Sequence, residues 1–401
     1  MSLTTSSVLH ACVKASMLQL AIYGLFPGYY SRKRAKFLLS IPLGIYCLVV
    51  ATLFAVFYVQ LMWTDYINDD ISQRDVIKIY CYMNVCLCLI NYITQWLAMA
   101  ATLRYQNNLP LLSTLNGLDI TLDSIKHALL LEVFKLFGFP LIMLLTLIIY
   151  DWLQFSKLSW MNTFGTMLPI YLGNQVNNCF FGSIMLTTGI LRQINVLLRD
   201  IQLEVNRLQT PLELQLQKPY YRMQRFCELA DRLDELAIKF THTTTNSMSY
   251  LKLTGVSLVI SLALNLVITT LGFYTQYQAA ADYIFTENIY DITQPAVHFV
   301  FLVVALSEFY FLSRLSQQAL DEANETGCLL QQISLQHSVV DVRFKQEVDA
   351  FWLQVRTIQY NLKPLQFLEL DGTLVSKIFA TVAGFLLFLI QNDLTLRFSL
   401  K

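Results

Sequence analysis

Four stretches of this chain, 37–64, 79–103, 158–191 and 253–281, contain no Asp, Glu, Lys or Arg. A helix needs roughly 20 mostly apolar residues to cross a bilayer, and in lipid every backbone polar group must be bonded inside the segment. Runs of this length and character therefore read as spanning helices. Three more are shorter or interrupted: about 128–150, with Glu132 and Lys135 in its first turns, 292–313 with Glu308, and 373–392 with Lys377. Seven spans is the resulting count. Composition agrees, with 55% hydrophobic and 14% charged residues against about 25% charged in soluble domains, and mean hydropathy is +0.48. The fold class is all-α, an integral membrane protein.

Formal net charge is zero, which gives no basic surface for nucleic acid. Residues 1–36 hold no compact apolar core followed by a small-residue cleavage site, so no cleavable signal peptide is expected. The cysteines at 12, 47, 81, 86, 88, 179, 227 and 328 fall in spans or in segments assigned to the cytosol. No structural disulfide, metal site or cofactor is expected, since Cys86 and Cys88, two apart, diverge on a helix. HExxH, GxSxG, Walker A and dinucleotide-binding glycine patterns are missing, which argues against an enzyme. A transporter would show repeated halves and paired intramembrane charges, and no repeat is visible.

The Lys/Arg residues are unevenly placed. Residues 1–36, 104–135, 192–252 and 309–377 hold 23 of the 28, and the alternate loops five. The positive-inside rule then puts the N-terminus in the cytosol and, with seven spans, the C-terminus outside. That is the reverse of a metabotropic seven-helix receptor, which would also carry an acidic-Arg-Tyr signature after its third span. The expected layout is a cytosolic segment 1–36, a six-helix bundle 37–313 including a cytosolic helical hairpin 192–252, cytosolic anchor helices 314–372, a last span 373–392 and an extracellular tail 393–401.

The hairpin and anchor rest on periodicity. Ile194, Leu198, Ile201, Val205 and Leu208 recur at four and three, as do Phe226, Ala230, Leu233, Ala237 and Phe240, the spacing of one helix face. Pro211 and Pro219 break the helix between them. Residues 315–362, with Val348, Phe351, Val355 and Ile358 on one face, read as another long helical segment. Such stripes either pack within one subunit or join several.

In the last span Ser376, Ala380 and Gly384 form a small-residue stripe that continues through Leu387 and Phe388 to Gln391, Asn392 and Asp393. Small stripes let helices approach closely in lipid, and apolar, polar and acidic rings gate, coordinate and concentrate ions in pores. Gln391 equally suits a membrane–water interface.

The closing stretch PLQFLELDGTLVSKIFATVAGFLLFLIQND resembles the end of the insect gustatory receptors, whose last-helix signature is TYhhhhhQF with h apolar. Leu386 to Ile390 supply the five apolar positions and Gln391 the glutamine, while Gly384, Phe385 and Asn392 replace Thr, Tyr and Phe. Length, span count, inside N-terminus and long cytosolic loops extend the resemblance over the whole chain. It implies a ligand-gated non-selective cation channel in the plasma membrane of gustatory neurons, a homo- or hetero-tetramer with other gustatory receptors, with four last helices around one pore. Gly384, Leu387, Phe388, Gln391, Asn392 and Asp393 are the implied pore and gate, with Leu387 or Phe388 serving where Asn392 is not apolar. The degenerate motif points to bitter or other aversive small molecules. The implied tastant pocket lies among spans two to six and includes Tyr80, Asn84, Phe164, Tyr171, Asn174, Phe273, Tyr274, Gln294 and His298. Aromatic residues there also suit a membrane interface, and the amides of the GNQVNN run at 173–178 suit either a cavity or bonds between helices.

Overall fold

The computed structural model describes residues 5–31, 33–34, 36–67, 76–108, 122–155, 160–210, 219–286, 293–335 and 341–399. Helix α1 (Thr5–Ile22) leads into a two-stranded antiparallel hairpin, β1 (Gly28–Ser31) and β2 (Lys36–Leu39), an addition to the all-helical expectation. Its free edge is closed by α4 (Met99–Asn108): the Phe37 N–H donates to Asn107 Oδ1 at 2.8 Å and Asn107 Nδ2 to the Phe37 carbonyl at 3.0 Å. An amide side chain thus serves as the neighbouring strand that an edge otherwise lacks.

Among the described residues seven helices are long and apolar enough to cross a membrane. The first two are α2 (Ile41–Ile67) and α3 (Val76–Leu97). The third is built from α5 (Leu122–Val133), a π turn (Phe134–Gly138) and α6 (Phe139–Phe155). Pro140 accounts for the π turn. It has no N–H for the carbonyl four residues back, and the turn widens so that the Phe139 N–H bonds to the Phe134 carbonyl.

The expected fourth span, 158–191, is broken at Asn174 into α7 (Trp160–Gly173) and α8 (Gln175–Leu208). Pro169 lies inside α7, and the Gly165 carbonyl it leaves without a donor accepts from the Tyr58 hydroxyl at 2.6 Å. At the break itself Asn91 Nδ2 donates to the Gly173 carbonyl at 3.0 Å, and Asn174 Nδ2 to Ile170 at 3.0 Å. A broken helix is tolerated in lipid only when its freed backbone groups find such partners.

Helix α9 (Pro219–Thr286) and α10 (Thr293–Leu335) are single helices of 68 and 43 residues. With the far half of α8 and with α11 (Val342–Ile358), they leave the bundle as a four-helix stem. The sequence stripes meet there: Leu198, Val205, Ala230 and Leu233, with Leu330 of α10, are all 0% exposed, and each buried Leu or Val contributes about 1.5–3 kcal/mol. Phe226 packs on Phe344 and Phe240 on Phe351, with ring centroids 5.7 and 5.8 Å apart. Arg192–Glu322, Arg199–Glu325 and Arg343–Asp231 pairs bind its rim. Residues 211–218, where the proline break was expected, and 336–340, inside the expected long segment 315–362, lie outside the described residues.

An elbow joins α11 to the last helix, α12 (Leu374–Ser399). It uses left-handed backbone at Gln359 (φ 42°) and at Leu365 and Gln366 (φ 52° and 58°). It is moored to α10, where the Ser313 hydroxyl donates to the Asp371 carbonyl at 2.7 Å and Gln317 Oε1 accepts from the Gly372 N–H at 2.8 Å. Helix α12 continues to Ser399, so residues 393–399 are helical where the sequence suggested a last span ending at 392 and a tail.

Candidate functional site

A narrow cavity of about 10 Å³, room for about one water, lies between α3, α9 and α10, lined by Ile77, Tyr80, Ile268, Gly272, His298, Phe301 and Leu302. These positions recur at three and four along each helix, so one face of each is turned inward. Tyr80 and His298, 5% and 4% exposed, are its polar groups. Asn84 Nδ2 donates to the Tyr80 carbonyl at 2.9 Å, and the side chains of Asn84 and Asn174 adjoin the Tyr80 hydroxyl, which joins the cavity to the break in the fourth span. Gly173 makes that approach possible, because a Cβ there would meet Asn84 Oδ1 at 2.7 Å. Aromatic and aliphatic walls with a few converging polar groups are the lining of a small-molecule site, but at this volume the three helices have to part before one enters.

Of the expected pocket residues the structure brings Asn84, Asn174 and His298 together with Tyr80. Phe164 is 52% exposed on the outer surface. Tyr171 turns to α1, where it accepts from Gln19 and meets Tyr23 edge-on at 5.6 Å. Phe273 and Tyr274 are half-buried, and Tyr274 stacks on Tyr277 at 6.0 Å. The side chain of Gln294 lies outside the described residues. Ile77, Ile268, Gly272, Phe301 and Leu302 were missed because apolar residues at helical spacing look the same whether they line a cavity or a core. Of the remaining amides Asn177 bonds Ser261 across to α9, the interhelical reading, while Gln175 Nε2 returns to the Tyr171 carbonyl of its own span at 3.4 Å.

The second candidate element is α12, which lies against α9 and α10. Only its Leu374 and Val382 are buried. Ser376, Ala380, Gly384, Leu387, Phe388, Gln391 and Asn392 are all exposed, and a Cβ at Gly384 would have no atom within 4 Å. Asp393 turns the other way. It accepts from the Tyr277 hydroxyl at 3.1 Å and from Arg397 Nε at 2.7 Å, while Arg397 also holds Asp282 of α9 at 2.8 Å. This four-residue clasp fastens the far end of α12 to the fifth span.

The sequon Asn324-Glu325-Thr326 lies within α10, where Thr326 is 0% exposed and donates to Asn195 Oδ1 at 2.6 Å. Its threonine is inside the packed stem, which closes it to modification of the folded chain.

The fold is shared with known proteins. It matches the insect olfactory receptor OR5 from Machilis hrabei, solved in complex with eugenol, at a TM-score of 0.62 and 13% identity over 97% of this chain and 100% of that one. A second structure of that receptor matches at 0.62 and 11% identity. The class is thereby defined: a multi-pass membrane protein with the seven-helix fold of an insect chemoreceptor. The model of the 7tm chemosensory receptor family matches residues 17–396, and the chain belongs to that family. Two of its Drosophila melanogaster relatives are the putative gustatory receptor 97a, 46% identical over 97% of this chain and 92% of that one, and the putative gustatory receptor 94a, 32% identical over 95% and 94%.

Proposed function

We propose that this chain is a subunit of a ligand-gated, non-selective cation channel that acts as a taste receptor for aversive small molecules in the plasma membrane of gustatory neurons. The observation that carries the reading is α12, a span-length helix with just two buried residues, whose exposed side runs from small residues through Leu387 and Phe388 to Gln391 and Asn392. In a tetramer, either of one chain or mixed with other gustatory receptors, four such faces enclose a pore. Leu387 and Phe388 form its apolar constriction and Gln391 a polar ring beside it. Asp393, clasped to Tyr277 and Arg397, acts on the fastening of the helix rather than as an acidic ring. The N-terminus and stem face the cytosol and the clasp faces outward, following the Lys/Arg bias.

The ligand parts the helices that carry Tyr80, His298 and Phe301 and occupies the widened cavity, and differential contacts there favour the open state. A relative's fold has been solved with eugenol, a small aromatic phenol, and an aromatic-walled cavity with a histidine and a tyrosine is suited to molecules of that kind. Whole-cell currents from cells expressing the chain alone and with related receptors, over a panel of bitter compounds and with G-protein signalling blocked, test the proposal. Ligand-evoked cation current whose permeation changes in Gln391→Ala and Phe388→Ala supports it. Current unaltered by either substitution removes the pore assignment, and responses that vanish with G proteins blocked favour a metabotropic receptor.

A further inference from the structure

Three ionisable side chains lie where the spans meet the stem, and neither the cavity nor the pore face uses them. Lys135, from the π turn, is 4% exposed; its Nζ is 2.8 Å from Glu308 Oε2 on α10 and 4.0 Å from the centroid of the Phe181 ring. One ammonium thus neutralises one carboxylate. Glu132, on the same span just before the π turn, has its Oε2 sealed from solvent with no hydrogen-bond partner. Its other oxygen presses on Gly182 of α8, where a Cβ would meet it at 3.0 Å. Among the described residues, the titratable groups facing it besides Lys135 and Glu308 are Cys179 of α8 and Tyr250 of α9, with Tyr105 of α4 stacked on Tyr250 at 4.7 Å. None of those three supplies a positive charge. Fully ionised, the group would hold two carboxylates to one ammonium, with a carboxylate oxygen deprived of both water and donor, an arrangement that low-dielectric surroundings penalise heavily.

We infer that Glu132 is a proton-binding site at the stem-side end of the third span, and that its occupancy sets how firmly Lys135 holds Glu308. With the proton on, Lys135 has a single anionic partner and the third span is tied to the sixth, one of the three helices that line the cavity. When the proton leaves to water on the stem side, the ammonium three residues along is divided between two carboxylates, and the tie slackens.

Difference infrared spectra of the full-length chain in lipid nanodiscs, titrated from about pH 5 to about pH 9, read the site directly. The carbonyl stretch of a protonated carboxyl should fade as pH rises, vanish in Glu132→Gln, shift in Glu132→Asp and, in Glu308→Gln, fade at lower pH than in the wild type, because Lys135 is then free to hold Glu132. A band absent from the wild type, or unchanged in Glu132→Gln, overturns the inference whatever the channel does. The coupling to gating rests on the channel reading. Over the same range the half-maximal ligand concentration should move about fivefold, the low end of ordinary coupling between sites, and less than about twofold in Glu132→Gln. A wild-type response that stays constant while the band titrates overturns the coupling; currents missing at every pH count against the channel reading and leave the band to decide the proton site.

Discussion

Asn195 of α8 is 1% exposed in the stem, and its amide is used at both ends. Nδ2 donates to the Glu322 carbonyl at 2.9 Å and to Glu322 Oε2 at 3.0 Å, while Oδ1 accepts from the Thr326 hydroxyl at 2.6 Å. Arg192 Nε holds Glu322 Oε1 from the rim at 2.7 Å. Asn195→Leu keeps the volume and removes all three bonds of the amide. Two neutral bonds at about 1 kcal/mol each and one to a carboxylate at about 1.5–3 kcal/mol sum to about 4 kcal/mol. The apolar replacement returns about 1 kcal/mol through burial, so the net loss is about 3 kcal/mol. In Asn195→Leu the Thr326 hydroxyl keeps its bond to the Glu322 carbonyl at 3.1 Å, whereas Thr326→Val removes the single proton shared between that carbonyl and Asn195 and should cost about 1 kcal/mol. Because the two share a bond, the double variant should be more stable than the summed singles by about 1 kcal/mol. The assay is thermal unfolding of the detergent-solubilised chain, read by circular dichroism, with a drop of about 4 °C expected for Asn195→Leu. A drop under about 1 °C, or single effects that simply add, would refute the idea that this buried network holds α8 to α10.

Other consequences can be checked separately. Gly384→Leu projects into space with no atom within 4 Å, so thermal stability of the subunit should be unchanged while ligand-evoked current falls at least tenfold. Arg397→Gln opens the clasp, and hydrogen exchange should rise over 393–399 but not over 374–386. Gly272→Ala places a methyl 3.3 Å from Leu302 Cδ1 in the cavity wall, and should raise the half-maximal ligand concentration about threefold or more without changing maximal current. In the elbow, the bond and charge of Lys363 hold Glu369 below its ordinary 4.5, and for Asp371 burial is outweighed by bonds from Thr373, which keep it below 3.8. Lowered carboxyl values mean stability that is complete above the unfolded values and lost as pH falls through the folded ones. Pepsin should therefore cut 359–373 slowly at about pH 4.5 and readily only well below pH 4.

The spans were legible because hydropathy over twenty residues outweighs any single substituent, and the stem because its stripes repeat over several turns. What escaped the sequence depends on partners far away in the chain. Asp393 and Arg397 look like the marks of a tail, yet paired to each other and to Asp282 they let the helix run on. Glu132, Lys135 and Glu308 were visible as interruptions of two spans, but the pairing of Lys135 with Glu308 joins segments that only folding brings together. The hairpin at 28–39 depends on Asn107 in the same way. In the cavity, polar residues stood out against the hydrocarbon background, whereas Gly272, Leu302 and Phe301 carried no mark of their position.

The length of α9 has a mechanical consequence. Sixty-eight residues at 1.5 Å each make a rod of about 100 Å. One end bears Leu229 and Leu233 in the stem, and the other bears Tyr277 and Asp282 in the clasp. A pivot of about 3° about its stem end carries the clasp about 5 Å, roughly one helical turn. A grip on the stem from another copy of the chain is therefore a grip on the end of the last helix, exerted through leverage with no change in the cavity walls.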